Sequence, residues 1–480
     1  MPSATRSDST PPSSSFRDPA GRLIRHDGRL FRAVFAAGIP NLQAFQASTT
    51  VQRLSAAGRI VSSAVLDEAV GARLAAELGL PQDTRLVEHE PIEFPSFPYE
   101  WPPEMLAAAA ELTLDLAEGL LEEGLGLKDA TPFNVLFRGA QPVFVDVLSV
   151  EPRDPGDPVW RPYAQFVRTF LLPLLAYQRF RLGPDQVFTA RREGLSPEDV
   201  YRMSGRLRRL LPPLLGYATI PTWLGSESEA RGSGLYEAKR MNPEKARFVV
   251  ASRLRSLRGA VRKAGEGETS SPWTEYSQTH PSYTAEQVAA KQKFVSESLA
   301  EARPKRVLDI GCNTGEYSLA AAHGGADVVA LDADPAVVGR LFRRASAEKL
   351  PILPLVVNIA LPSPATGWRN GECASFLERA AGRFDTVLML ALLHHLLVSD
   401  RVPLDSVVDL AADLTRDRLV IEFIAPDDPM FRRIVRGRED LHRNLDESVF
   451  AASLRRRFDV VRSAALPGSS RTMFLARRCG

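Results

Sequence analysis

Five residues in a short stretch have the types and spacing to hold a nucleoside. Asp309, Gly311, Asn313 and Gly315 lie in the run Arg306-Val-Leu-Asp-Ile-Gly-Cys-Asn-Thr-Gly-Glu-Tyr-Ser318, and Asp332 closes the run Asp327-Val-Val-Ala-Leu-Asp332. A carboxylate about 20 residues beyond a glycine turn is placed to accept hydrogen bonds from ribose hydroxyls. Gly311 permits a sharp turn, and Gly315 lets the following helix pack close to its strand. Asn313 is the non-glycine residue that best tolerates left-handed dihedrals. Further on, His394 and His395 follow the apolar run Val387 to Leu393. An imidazole titrates near neutrality, so one of the pair has the chemistry of a general base toward a hydroxyl or amine. Turnover is then expected to fall below about pH 6.5.

Such groups act together only if strands and turns bring them to one edge. Val307 to Ile310 is a short β-prone run, and a helix-forming run starts at Glu316. Strand, tight turn and helix in that order make the first βα unit of a Rossmann-type fold. The turn holds no Lys or Arg, and a Glu316 carboxylate competes with a pyrophosphate for the positive helix end. An adenosine bearing a sulfonium cation meets no such conflict, so S-adenosylmethionine (SAM) fits better than NAD. The stretch LDIGCNTGEYS, with ALDADP after it, resembles motif I and its acidic partner in class I SAM-dependent methyltransferases. The resemblance runs from roughly Tyr283 to the C-terminus, about two-fifths of the chain.

What this resemblance implies is an α/β Rossmann-like methyltransferase domain over residues 283–480 with SAM as cofactor and no metal. Its cofactor-binding set would be Asp309, Gly311, Asn313, Gly315, Asp332 and Asn358. Asn358 stands after the third strand, Ile352 to Asn358, where the family usually has an Asp that meets the adenine amino group. The family often carries a similar Leu-His-His after its fourth strand, here Phe384 to Leu390, which points to His394 and His395 as catalytic candidates. Segments before motif I often fold over the cofactor, making Tyr276, Tyr283 and Lys291 candidates for a lid. Glu422 and the turn Pro426 to Pro429 fall on the same rim, and Arg457–Arg462 with Arg471–Ala476 read as a final antiparallel pair.

The first half carries another constellation. Short β-prone pieces (Leu30–Phe35, Val51–Leu54, Ile60–Leu66, Leu86–Ile92) surround a helix from Glu68 to Leu78. A proline-rich connector and a buried helix, Pro103 to Leu121, follow. Asp129 and Asn134 then precede a strand that ends at Asp146. This order resembles protein-kinase-like and aminoglycoside-phosphotransferase-like enzymes, with Asp146 where that superfamily has its metal-binding Asp. The resemblance implies an α+β kinase-like domain over residues 21–225. It is a degenerate one: no lysine precedes Lys128, no glycine-rich loop is evident, and Arg53 or Arg59 would be a poor substitute for the missing cation. Residues 1–20 read as a disordered tail and 226–282 as a helical and linker region. Deleting residues 1–225 is expected to spare SAM binding.

Composition bounds the rest. At 480 residues the chain exceeds one ordinary core, and a net charge of +2 gives no reason to expect a nucleic-acid partner. Three unpaired-looking cysteines fit a reducing cytoplasm, with Cys312 a small filler of the turn. No apolar run reaches membrane-span length and no signal peptide is evident, so no membrane partner is expected. Arginine outnumbers lysine, as in GC-rich bacterial genomes. The Arg-rich residues 180–270, including Val200-Tyr-Arg-Met-Ser-Gly-Arg-Leu-Arg-Arg-Leu-Leu211, carry little site chemistry, and the basic run Arg247 to Lys263 is expected to be a solvated helix face. The leading reading is a methyltransferase acting on a small-molecule O or N acceptor, with the N-terminal half recognising substrate. Two others stay open: a bifunctional enzyme that also handles Mg-ATP, and a non-catalytic SAM-binding interaction protein.

Overall fold

The computed structural model describes residues 17–228, 240–265, 283–435, 437 and 443–479. Tyr276, most of the expected N-terminal tail and the linker around residues 266–272 lie outside them.

The C-terminal part is built on strands β9 (Arg306–Ile310), β10 (Asp327–Asp332), β11 (Ile352–Val356), β12 (Phe384–Met389), β13 (Thr415–Ile424), β14 (Phe458–Ala465) and β15 (Arg471–Arg478), in the sheet order β11-β10-β9-β12-β13-β15-β14. The run β11-β10-β9-β12-β13 is parallel, and β15 pairs antiparallel with both neighbours. Helices on both faces explain why these strands read as near-continuous apolar runs rather than alternating ones. Chain order reverses between β9 and β12, so the carboxyl ends of those two strands open a crevice at the switch point.

The first half has an antiparallel sheet of β1 (Gly21–His26), β2 (Arg29–Val34), β3 (Ser63–Val65) and β4 (Arg85–His89), ordered β1-β2-β4-β3. The helix Pro103–Glu122 is buried along most of its length. Beyond it, β5 (Leu125–Leu127) pairs with β8 (Val150–Pro152) and β6 (Val135–Arg138) with β7 (Gln141–Phe144). One β-prone run is in fact helical: Val51 to Leu54 lies inside Thr49–Ala56. The Ser48 hydroxyl accepts the Val51 N–H, and Glu123 accepts those of Thr49 and Thr50, so the donors of the first turn are satisfied.

The two halves share one continuous apolar core. Phe94 lies between Phe376 and Phe384, with ring centroids 5.9 Å from each, and Phe137 meets Phe342 edge-on. Buried Glu100 pairs with buried Arg379, whose guanidinium also stacks over Phe94, Phe97 and Phe376. Glu104 takes Arg343 at 2.6 Å, and Glu372 takes Arg17 and Arg192. The basic run Arg247 to Lys263 does not simply face solvent. In the helix Pro243–Gly265, Arg258 pairs with Asp115 and Glu118 and Arg262 with Glu111, on the acidic side of Pro103–Glu122.

Candidate active site

The turn after β9 is held by its backbone. Gly311 and Cys312 both donate their N–H to the Leu331 carbonyl at 2.8 Å, and Gly315 donates to that of Cys312. Gly311, Asn313 and Gly315 all have positive φ (78°, 50° and 87°), so the left-handed tolerance expected of Asn313 is used. A Cβ on Gly315 would lie 2.3 Å from Leu341, so the close approach is to the helix Pro335–Glu348 that follows β10. At Gly311 the nearest side chain is Leu392 at 3.6 Å, ordinary contact; glycine is required there for its dihedral, not for room.

Asp332 is tied into this turn. Its Oδ2 accepts the Asn313 N–H at 2.9 Å and its Oδ1 that of Asp334 at 3.0 Å. Burial raises its pKa above the usual carboxylate value against these hydrogen bonds. Asp309 is fully buried and accepts the Ser318 hydroxyl at 2.6 Å; burial pushes it up to about 6. Cys312 is buried, which raises its thiol well above the ordinary value and removes it as a nucleophile. Asn358 is exposed just past β11, its Oδ1 accepting the Ala360 N–H.

The two histidines differ. His394 is buried, and its Nδ1 has no hydrogen-bond partner among the described residues. Burial, helped by His395, Arg471 and Lys291, drives its pKa down to about 2. His395 is half-buried, its ring centroid 4.2 Å from that of His394, and burial lowers it too, against the pull of Asp400. Both imidazoles therefore stay neutral to lower pH than an unperturbed histidine, which shifts the expected acid limb downward.

A buried ionic cluster supports this corner; its members stood out in the sequence one by one, but their contacts with one another did not. Glu422, fully buried on β13, accepts Lys291 Nζ at 2.7 Å, the Tyr283 hydroxyl at 2.9 Å and the Ala391 N–H at 2.8 Å. Arg471 lies 3.6 Å from Glu422 and binds Asp428 through two nitrogens, at 2.7 and 3.1 Å. Burial alone would raise Glu422, but Lys291 and Arg471 hold it below the ordinary value; burial would depress Lys291, yet Glu422 holds it above. The tie to Ala391 fixes a non-glycine residue at φ 53°, three residues before His394. Thus Tyr283 and Lys291, read as lid candidates, are anchored to the sheet. A lone glutamate in the apolar run Leu419–Ile424 was the one available signal; Arg471 read only as a strand start.

These groups surround one cavity of about 640 Å³ at the carboxyl ends of β9, β10 and β12. Asp309, Gly311, Asn313, Asp332, Asn358, His394 and His395 all line it, as do Tyr283, Lys291 and Arg471; Gly315 acts from behind. The volume is in the range of small-molecule pockets.

In the first half, Asp129 Oδ1 accepts the Gln165 amide at 3.2 Å, while Asn134 Nδ2 and Asp146 Oδ1 are buried without a hydrogen bond. Burial raises the pKa of Asp146 against the pull of Arg32 on β2, whose Nη1 is 3.5 Å away. Arg59 instead pairs with Asp115 and Arg53 is exposed. The cation that meets Asp146 is therefore Arg32, a residue not singled out in the sequence.

Residues 282–463 match the family model described as a methyltransferase domain. Among solved structures, the chain is similar to the N-methyltransferase NodS from Bradyrhizobium japonicum WM9 (18% identity, 40% of this chain and 97% of that one, TM-score 0.31). It is also similar to magnesium protoporphyrin IX methyltransferase from Synechocystis PCC 6803 with bound SAM (18% identity, 44% and 87%, TM-score 0.29). A third is the bifunctional kinase-methyltransferase WbdD (20% identity, 41% and 40%, TM-score 0.29). Over nearly its whole length, 97% of this chain and 95% of the relative, it is 30% identical to the nodulation protein NoeA of Rhizobium meliloti. The chain belongs to the family of that protein, and it is a SAM-dependent methyltransferase.

Proposed function

We propose that the cavity holds SAM with its ribose at Asp332 and its adenine toward Asn358, and that a small-molecule hydroxyl or amine is methylated beside His394 and His395. One observation carries the reading: the glycine turn, Asp332 and both histidines open onto the same cavity. The residues suit the cofactor, because buried Asp309 and Asp332 supply the negative side of a site that a sulfonium cation would enter. Bound there, SAM supplies a methyl group on a positively charged sulfur leaving group. The chain contributes the approach geometry, and the histidine pair contributes the base that takes the acceptor's proton.

Replacing the one of His394 and His395 that acts as the base with alanine is expected to lower turnover of labelled SAM by about 10²–10⁴-fold with SAM affinity intact. Because burial depresses both imidazoles, wild-type turnover should stay level as pH falls through 6.5 and decline only at lower pH. A half-maximal point at 6.5, or normal turnover in both variants, would count against a base at this position.

We further propose that residues 21–225 form a degenerate kinase-like domain that recognises the acceptor, that residues 283–480 form the methyltransferase domain, and that the enzyme works in the cytoplasm. The element order and the Asp129, Asn134 and Asp146 set support the first part. No helix among the described residues is long and apolar enough to cross a membrane. A bifunctional reading keeps some support from the buried, unbonded Asn134 Nδ2 and Asp146 Oδ1. Phosphoryl transfer needs several cations around the phosphates, and here Arg32 is the one basic residue paired with Asp146 among the described residues. Magnesium-dependent ATP hydrolysis is therefore expected to be undetectable; hydrolysis that disappears in Asp129→Asn would establish the bifunctional reading instead.

A further inference from the structure

Eight of the sixteen large hydrophobic residues exposed among the described residues fall between Met203 and Phe248, so the exposed apolar surface is concentrated rather than scattered. Leu207 is 81% exposed, Leu211 61%, Leu224 56% and Trp223 48%. Leu207 and Leu211 flank the turn Arg208–Leu210, and Trp223 and Leu224 lie on the helix Ile220–Ser228; both elements pack on the π-turn Leu215–Thr219, which with Ile220–Ser228 also packs on the helix Pro197–Met203. Scattered exposed leucines are ordinary, but a contiguous apolar patch marks an interaction surface.

The charge of the patch selects its partner. The stretch Tyr201–Leu224 contains Arg202, Arg206, Arg208 and Arg209 and no acid; of the acids at its two ends, Glu198, Asp199 and Glu227, Asp199 is taken by Arg191. Arg209 lies over the Tyr201 ring, while Arg202, Arg206 and Arg208 make no ion pair with any described residue. This contrasts with the helix Pro243–Gly265, where Arg247, Arg258 and Arg262 are matched by acids of Pro103–Glu122. A two-fold contact between copies would set the same uncompensated arginines against each other. A nucleic acid would match the charge and could stack a base on the tryptophan, but it would leave the exposed leucines without a role.

We propose that this face docks on an anionic membrane surface, with Leu207, Leu210 and Leu211 entering the acyl boundary, Trp223 at the headgroup level, and the arginines on the phosphates. Such contact lies in the interface and needs no spanning helix.

The test uses the full-length protein and sedimentation with vesicles of phosphatidylcholine containing about a third phosphatidylglycerol, compared with pure phosphatidylcholine. Binding should be at least tenfold stronger on the anionic vesicles. Arg206→Gln with Arg208→Gln should weaken it roughly 30-fold, at about a kcal/mol per arginine, and Leu207→Ser with Leu211→Ser should weaken it at least as much. S-adenosylhomocysteine affinity should be unchanged in both variants, which verifies their fold. Absence of binding, or equal binding to both vesicle types, would overturn the proposal. So would a wild-type dimer that dissociates in the leucine variant, which would make the patch an interface between copies.

Discussion

Replacing Glu422 with leucine is expected to destabilise the protein by about 3–5 kcal/mol. The substitution leaves Lys291, 6% exposed, without the carboxylate that holds it in the interior, and takes the more distant of its two carboxylates from Arg471, 2% exposed, which keeps Asp428. Uncompensated buried charge costs far more than the pair itself gains, which is why one partner's removal is severe. Lys291→Met combined with Glu422→Leu should recover part of the loss, because the stranded ammonium is gone. The site suffers as well: Ala391 loses the acceptor for its N–H, and the segment leading to His394 loses its anchor. Urea unfolding followed by circular dichroism measures the change. A loss under about 1 kcal/mol would mean that water or rearrangement replaces the carboxylate, and that the cluster does not secure this corner.

Removing residues 1–225 is expected to leave a C-terminal fragment that does not fold stably. Phe342, Phe376 and Phe384 are nearly or fully buried, and each meets a phenylalanine of the first half. Exposing three such side chains costs about 6 kcal/mol, comparable to the whole stability of many domains. Arg379 and Arg343 would also lose Glu100 and Glu104. The packing thus argues against the independence that the linker composition suggested. Soluble, cooperatively melting fragment with full S-adenosylhomocysteine affinity would show that the shared core is dispensable. A milder probe is Glu100→Ala, which leaves Arg379 buried with its rings but no carboxylate and should lower stability by about 3–5 kcal/mol.

What could be read in advance was local. Asp309, Gly311, Asn313 and Gly315 lie within seven positions, and Asp332 follows one helix later, so their geometry is set by a single βα unit. The succession of strands along the chain followed from the same regular alternation. The pairing within the Glu422 cluster was hidden because Lys291, Glu422 and Arg471 come from a helix, β13 and β15, far apart in the chain. Arg32 was hidden in the same way: it sits in an ordinary strand pattern, and only the closure of β2 onto the Asp146 loop gives it a partner. The helix Thr49–Ala56 was misread because Val51 and its neighbours favour strands, whereas the cap at Ser48 and the reach of Glu123 decide the outcome. The shared core could not be foreseen from composition, which marks linkers but not what the units bury against each other.

The central claim is that the glycine turn and Asp332 form the SAM site, and calorimetric titration of SAM into wild type and Asp332→Ala tests it most directly. Asp332 would bind the ribose and already holds the N–H groups of Asn313 and Asp334, so its loss removes both a ligand contact and a turn anchor. The expected result is saturable binding to the wild type that weakens by roughly 1.5–3 kcal/mol, about 10- to 150-fold, in the variant. Equal SAM affinity in the two proteins, with the variant still folded, would contradict the assignment of this cavity.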